Sequence, residues 1–176
     1  MAVHAVASGE ARDASPSSRR WFAFAAIALG IVIADQLTKS VVAASFPIGS
    51  TTNVLGDLVR IAPGANSGAI FGLFRDQAWL FAVLSLGVLA LIVVFHARSA
   101  DAGPVMSVTL GLLLGGAIGN LIDRFRVGYV LDFVDMGSGS VRWYTFNVAD
   151  AAISVSIVLL VLASLLGPRL PGGPRR

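Results

Sequence analysis

Long uncharged stretches are the clearest feature of the hydrophobic pattern along this chain. Three of them have no charged residue over 19, 21 and 18 positions: 77–95, 102–122 and 151–168. A fourth apolar segment lies near residues 21–43 and carries Asp35 and Lys39 as its only charges. Because a helix rises about 1.5 Å per residue, each segment can cross a hydrocarbon core of about 30 Å. The pattern predicts four transmembrane helices.

An even number of spans places both termini on one side of the membrane. We expect a disordered cytoplasmic leader, a membrane domain and a cytoplasmic tail, with the boundaries 1–18, 19–168 and 169–176. Positive charges divide seven to six between the proposed inner and outer sides, which favours this orientation weakly. The alternative is a cleaved signal peptide ending near Val42-Ala43-Ala44. Asp35 and Lys39 argue against that alternative, because apolar signal regions lack such residues.

The two outer segments, roughly 45–76 and 125–147, do not resemble lipid-facing helices. Asn53–Ile61 and Val141–Phe146 have strand-like apolar and aromatic positions bounded by Gly, Pro and Asn. They are predicted to pair as a small extracytoplasmic sheet. Glycines spaced four apart between Gly111 and Gly119 favour close helix packing, either within the bundle or across a dimer interface.

Composition supports the membrane interpretation. Charged residues make up 13% of the chain and hydrophobic ones 56%, whereas a soluble domain carries about 25% charged residues. The arginines are scattered without interleaved aromatics, so nucleic-acid binding is not indicated. The absence of Cys excludes disulfides, a catalytic thiol and thiolate metal sites. With His4 and His96 as the only histidines, a zinc site or a Ser-His-Asp triad is not expected.

Clusters of polar residues punctuate this apolar background. Asp35 and Lys39, at i and i+4, share a helix face and can pair; a purely structural ion pair is the plainer interpretation. Asn66 can donate and accept hydrogen bonds at once, which suits the holding of a peptide backbone, and Gly68 permits close approach of another chain. Taken alone, Asn66 and Gly68 are also ordinary turn residues.

Three polar residues lie on one face at the outer end of the third span: Asn120, Asp123 and Arg124. A polar face on a transmembrane helix indicates a polar cavity. Arg124 can hold substrate there or merely compensate Asp123.

Two carboxylates, Asp132 and Asp150, stand near the membrane among apolar neighbours. Holding such a group there costs about 2.5–3.5 kcal/mol on insertion scales, so chains rarely keep it without a use. Asn147 and Asp150, at i and i+3, can face the same direction at the start of the fourth span. For Asp150, a favourable place at a helix N-terminus is the alternative explanation.

This succession of motifs resembles the bacterial lipoprotein signal peptidase (signal peptidase II) family. The matching positions are Asp35…Lys39, Asn66–Phe71, Gly115–Arg124, Val130–Phe133 and Phe146–Asp150. The resemblance implies an all-α integral membrane protein of the bacterial inner membrane, a four-transmembrane-helix bundle with a small extracytoplasmic β-sheet. It also implies an aspartic endopeptidase that removes signal peptides from prolipoproteins just before a diacylglyceryl-modified cysteine.

The same resemblance assigns the site. Its catalytic pair falls on Asp132 and Asp150, near the outer face of the membrane. Supporting or substrate-binding roles fall on Asp35, Lys39, Asn66, Gly68, Asn120, Asp123, Arg124 and Asn147. The expected partners are diacylglyceryl-modified prolipoproteins and membrane lipids, the expected state is monomeric, and neither cofactor nor metal is expected. Two carboxylates in one site share a proton, which suits general acid–base hydrolysis of a peptide bond.

Two other classes of function remain open at this point. Intramembrane Asp, Asn and Lys also build proton pathways in transporters, although transport sites lie near the midplane and these residues gather at one face. A structural assembly factor would explain the glycines but leaves the carboxylate pair without a purpose. A rhomboid-like serine protease is disfavoured because no suitably placed histidine is present.

Overall fold

The computed structural model describes residues 16–68, 78–99 and 103–166. Four helices lie within these ranges: α1 (Pro16–Ser45), α2 (Ala78–Arg98), α3 (Gly103–Val127) and α4 (Val148–Leu166). Four strands lie between them: β1 (Thr52–Leu55), β2 (Val59–Asn66), β3 (Val130–Ser138) and β4 (Val141–Arg142). The chain is therefore mostly helical with one small sheet, as the sequence predicts.

Of the four helices in the described ranges, three are long and apolar enough to cross a membrane: α1 from Ser17, α3 and α4. In α2 the apolar part found among the described residues is shorter, Val83–Arg98. Large apolar side chains such as Leu29, Leu91 and Leu165 are exposed along these helices. Apolar helices with apolar outer faces need lipid as their solvent, so this is an integral membrane protein.

The first helix begins earlier than expected. Because α1 starts at Pro16, the last three residues of the predicted disordered leader are helical. A proline suits the first turn, where its missing N–H would have no intrahelical partner. The rest of the predicted leader, and the whole predicted tail 169–176, lie outside the described residues.

Glycines of α3 allow the other helices to approach it closely. A Cβ on Gly115 would lie 2.6 Å from the carbonyl oxygen of Ala28 in α1, and one on Gly116 would lie 2.5 Å from that of Ala149 in α4. Real Cβ atoms do not approach so near, so these contacts require glycine. The glycine spacing is thus explained by packing within the bundle, with α3 contacting α1, α2 and α4.

The sheet is antiparallel in the order β1-β2-β3-β4, and the two outer segments build it together. This confirms that the two segments form one small sheet. The pairing differs from the prediction, because Val141–Arg142 pairs with β3 and not with the strands of Asn53–Ile61. The strand β3 was not predicted, because its first four residues, Val130–Phe133, are all buried and show no alternation. In the register of β2 and β3, Gly64 lies opposite Asp132 and Asn66 opposite Val130.

A second buried cluster lies at the other end of the bundle from the sheet. His96 stacks on Phe24 with a centroid separation of 4.2 Å and meets Trp21 edge-on at 4.6 Å. Ile92 and Leu110 pack with Phe24 in the adjoining apolar core. This end of the bundle is held mainly by aromatic and aliphatic contacts.

Candidate active site

Asp132 is presented by β3 and is almost fully buried, with 5% of its surface exposed. Its Oδ2 accepts a hydrogen bond from Asn66 Nδ2 at 2.8 Å, and its Oδ1 accepts one from Asn147 Nδ2 at 2.8 Å. Asn66 reaches Asp132 because residues diagonal to one another on paired antiparallel strands share a face. The sheet thus supplies one carboxylate and one of its donors.

Asp150 and Asn147 form a reciprocal cap at the N-terminus of α4. The Asp150 N–H donates to Asn147 Oδ1 at 2.9 Å, and the Asn147 N–H donates to Asp150 Oδ2 at 3.2 Å. This is a capping box, which satisfies backbone donors that the first helical turn leaves free. Asp150 therefore does occupy a favourable place at a helix N-terminus, as the alternative explanation states. That explanation is incomplete, because the Oδ1 atom of Asp150 has a partner outside α4.

The Oδ1 atom of Asp150 connects this residue to the hydrogen-bond partners of Asp132. Asp150 Oδ1 accepts a hydrogen bond from Asn120 Nδ2 at 2.7 Å, and Asn120 Oδ1 lies 3.1 Å from Asn147 Nδ2. Asn147 is fully buried and touches both Asp132 and Asp150. Two asparagines thus join two carboxylates that lie 18 positions apart in the sequence.

The electrostatics of the pair differ from those of isolated aspartates. Burial raises the pKa of Asp132 to about 6, against the opposing hydrogen bonds from Asn66 and Asn147. Repulsion from the Asp150 carboxylate and a hydrogen bond with it raise this pKa as well. A carboxyl group that retains its proton beside an acceptor carboxylate can serve as a general acid while its neighbour serves as a base.

A buried ion network lies behind the pair, between α1 and α3. Lys39 Nζ contacts Asp35 Oδ2 and Asp123 Oδ2, each at 2.8 Å, which confirms the predicted Asp35–Lys39 pairing. Asp35 is fully buried, and its other oxygen accepts the N–H of Ala149 at 3.0 Å. The first helix therefore contacts the turn of α4 that carries Asp150.

Helix α3 carries two more of the predicted site residues, Asp123 and Arg124. Asp123 Oδ2 accepts the N–H of Leu131 at 3.1 Å, which ties α3 to the strand that bears Asp132. Arg124 Nη1 donates to the Asn120 carbonyl at 3.1 Å. Its guanidinium interacts favourably with Asp150, Asp123 and Asp132. Both of its predicted roles, compensation and substrate holding, fit this position.

Gly68 lies at the end of the described part of the first outer loop. Its N–H donates to Asn66 Oδ1 at 2.9 Å, and its φ of +81° is one that glycine tolerates best. The turn chemistry considered for this pair is present, and it orients the Asn66 amide so that Nδ2 faces Asp132. The remaining residues of that motif, 69–71, lie outside the described residues.

Gln36 is a member of the network that the sequence did not single out. Its Nε2 lies within 3.2 Å of Asp35 Oδ2, the Gly119 carbonyl and Asp123 Oδ1. The available signal was its place beside Asp35 on a helix where few polar residues occur. A second unforeseen cluster lies in the sheet, where Arg142 Nε contacts both oxygens of Asp135 at 2.7 and 2.8 Å.

Within 16–68, 78–99 and 103–166, no three His, Asp or Glu side chains are grouped so as to hold a metal ion. The carboxylates of the candidate site are instead surrounded by amide, ammonium and backbone N–H donors.

Lipid-compatible helices around a hydrogen-bonded pair of carboxylates place the chain among integral membrane proteins with a polar centre near one end of the bundle. The chain belongs to the signal peptidase (SPase) II family, whose sequence profile matches residues 27–166. The family is one of peptidases.

Known relatives agree with this assignment. The chain is 39% identical to the lipoprotein signal peptidase of Syntrophomonas wolfei over 86% of its own length and 96% of the relative's. It is 37% identical to that of Bacillus velezensis, over 79% and 91%. A bacterial membrane enzyme solved by the in meso method at 2.3 Å resolution matches with a TM-score of 0.76 and 29% identity, over 87% of this chain and 93% of that one.

Proposed function

We propose that this protein is an intramembrane aspartic endopeptidase that removes signal peptides from prolipoproteins just before the diacylglyceryl-modified cysteine. The observation that carries the proposal is the hydrogen-bonded arrangement of Asp132 and Asp150 around Asn120 and Asn147. The raised pKa of Asp132 supports a role in which it holds the proton that the pair shares. The names of the relatives support the substrate class.

The reaction needs one ionised and one protonated carboxyl group. Asp150 accepts a proton from a water molecule whose oxygen attacks the scissile carbonyl carbon, while Asp132 donates its proton to the carbonyl oxygen. The resulting diol collapses when Asp150 passes its proton to the leaving nitrogen and the C–N bond breaks. A diol hydroxyl then returns a proton to Asp132, so the pair is restored with no net change.

The asparagines divide into two groups by exposure. Asn120 and Asn147 are buried and bonded to the carboxylates, so they position the reacting groups. Asn66 is exposed and contacts Asp132, and Arg124 is half-buried beside the pair. We assign to these two side chains the role of holding the substrate backbone or its lipid-bearing portion. The acyl chains of the substrate remain in the bilayer between helices.

Location in the cell follows from the same proposal. The chain would span the bacterial inner membrane four times as a monomer, with residues 1–18 and 169–176 in the cytoplasm and 19–168 as the membrane peptidase domain. In α2 the apolar stretch Val83–Arg98 is short for a membrane span, and the helix would cross with interfacial ends. The carboxylate pair and the sheet would then lie at the outer face, among membrane lipids.

The experiment that tests the proposal compares two precursors. The purified protein is incubated with a diacylglyceryl-modified lipoprotein precursor and with the same precursor lacking the lipid. We expect cleavage of the first alone, at the bond before the modified cysteine, and no change when EDTA is added. Proton flux in liposomes without cleavage of either precursor would favour the transporter alternative and contradict the proposal.

A further inference from the structure

We propose that Lys39 is a positioning residue for Asp150, acting through the carboxamide of Asn120. This inference rests on the proposed function. Among the described residues, Lys39 Nζ contacts Asp35, Asp123 and Asn120 Oδ1, the last at 3.2 Å, and makes no ion pair with Asp132 or Asp150. The other end of the Asn120 amide donates to Asp150 Oδ1 at 2.7 Å.

The Asn120 amide has one orientation that fits all of its neighbours. In that orientation its oxygen faces two donors, Lys39 Nζ and Asn147 Nδ2, and its nitrogen faces the Asp150 carboxylate. A flipped amide would set nitrogen against both donors and oxygen against the carboxylate. An ammonium group can donate but never accept, so Lys39 excludes the flipped orientation.

Asn147 alone does not fix this orientation as firmly. Its Nδ2 group has two hydrogens and three nearby acceptors: Asp132 Oδ1 at 2.8 Å, Asn120 Oδ1 at 3.1 Å and the Leu131 carbonyl at 3.3 Å. The contact with Asp132 is the shortest of the three. Asn120 Oδ1 therefore competes with two other acceptors for the two hydrogens of Asn147 Nδ2. Lys39 instead supplies a charged donor that stays available through the catalytic cycle.

The surroundings explain why a charged lysine is tolerated here. Lys39 is 4% exposed and is held between Asp35 on its own helix and Asp123 on α3. A buried cation is stable when it is paired and hydrogen-bonded, as this one is. The groups that face Asp150 are Asp132 from β3, Arg124 and Asn120 from α3, and Asn147 at the start of α4.

The test removes the Lys39 donor without changing the net charge of the lysine and its two carboxylates. The double variant Lys39→Met/Asp123→Asn is compared with Asp123→Asn alone and with the wild type. We expect kcat/KM of the double variant to fall about tenfold, the effect of one charge-assisted hydrogen bond. We also expect the acidic limb of its pH profile to move to higher pH, because the donor that favours an ionised acceptor is lost.

Asp123→Asn is the matched background, because it removes the same carboxylate and keeps the Lys39–Asn120 contact. The limb of the double variant should lie at higher pH than the limbs of both Asp123→Asn and the wild type. A double-mutant cycle completes the test: in an Asn120→Ala background, removing Lys39 should move the limb no further. An unmoved limb in Lys39→Met/Asp123→Asn, or an equal additional shift in the Asn120→Ala background, would overturn the proposal. If the double variant does not fold, Lys39→Gln in the Asp123→Asn background takes its place, since its amide can accept as well as donate.

Failure of the proposed function is seen separately. If the wild type does not cleave the lipidated precursor, the proposed function is wrong before any variant is measured. If the wild type cleaves and the limb stays in place when Lys39 is replaced, the peptidase proposal stands and the positioning role of Lys39 is refuted.

Discussion

The two ends of the helix bundle bury polar groups in opposite ways. At the end next to the sheet, Asp35, Lys39 and Asn147 are buried and bonded on every side to other polar groups. At the far end, His96 and Ser107 are also buried, yet neither imidazole nitrogen nor the hydroxyl has a hydrogen-bond partner within the described residues. His96 is held there by the contacts of its imidazole ring with Phe24 and Trp21.

Buried polar groups near the sheet thus belong to a hydrogen-bonded network, whereas His96 and Ser107 are buried without hydrogen-bond partners among the described residues. An unpaired buried polar group costs about 1–3 kcal/mol, so a dense hydrogen-bonded network needs each of its members. A histidine that stacks on aromatic rings contributes shape and apolar contact instead. We therefore expect substitutions near the carboxylates to be severe and substitutions near His96 to be mild.

The most severe loss should come from the carboxylates themselves. Asp132→Asn and Asp150→Asn should each lower cleavage of the lipidated precursor at least about 10³-fold, because each removes one half of the acid–base pair. Both should remain folded and inserted, since an amide nearly matches a carboxylate in shape. Cleavage is followed with purified protein, and circular dichroism monitors the fold. Full activity in either homogeneous variant would refute the catalytic assignment.

The pH dependence of the wild type should be the next largest effect. In the proposed mechanism the active pair carries one proton, and the pKa of Asp132 is raised to about 6. As pH rises through that value the proton is lost, so kcat/KM should fall about tenfold per pH unit above it. For kcat the fall should occur at higher pH, because bound substrate buries Asp132 further and so raises its pKa. A kcat/KM that rises through about pH 6 would contradict this account.

Packing behind the carboxylates gives a smaller, structural effect. A Cβ on Gly119 would lie 2.6 Å from Asp35 Oδ2, whereas a Cβ on Gly30 in α1 meets nothing within 4 Å. Gly119→Ala should therefore lower the unfolding free energy by about 1–3 kcal/mol and reduce activity, as overpacking does. Gly30→Ala should be neutral or slightly stabilising, because alanine favours helices. Equal melting temperatures for the two variants would argue against the close contact at Gly119.

The smallest effect is expected at the far end of the bundle. His96→Phe keeps an aromatic ring against Phe24 and Trp21 and removes two nitrogens that have no hydrogen-bond partner in the described part of the chain. Stability should be unchanged or higher, because nitrogens without a partner no longer have to be buried, and cleavage should stay within about twofold of the wild type. Thermal unfolding in detergent and the same cleavage assay measure both. A large loss of stability or of cleavage would show that the nitrogens of His96 are needed, contrary to this expectation.

Sequence reasoning was strongest where single-residue spacing determines the geometry. The pairing of Asp35 with Lys39 follows from i, i+4 positions on a helix, and the i, i+3 spacing of Asn147 and Asp150 predicts that they face the same direction, where the structure shows a cap. Uncharged length likewise indicated apolar helices. In each case the interaction is local, so the periodicity of one element is enough to predict it.

Long-range partners were less predictable. The strand that carries Asp132 begins with four buried residues and lacks an alternating pattern. The contact of Asp35 Oδ1 with the Ala149 N–H joins positions 114 residues apart and depends on how α1, α3 and α4 pack. Gln36 is the same kind of case, because its three acceptors lie on two helices. Sequence spacing within one element carries no information about such contacts.

The most direct test of the carboxylate pair is a titration of Asp132 itself. Carboxyl-labelled aspartate is followed by ¹³C NMR in the wild type and in Asp150→Asn, with Asp132→Asn used to assign the signal. We expect Asp132 to titrate near 6 in the wild type and at lower pH in Asp150→Asn, because the neighbouring carboxylate raises its pKa. An Asp132 pKa that does not respond to Asp150→Asn would mean that the two groups do not share a site.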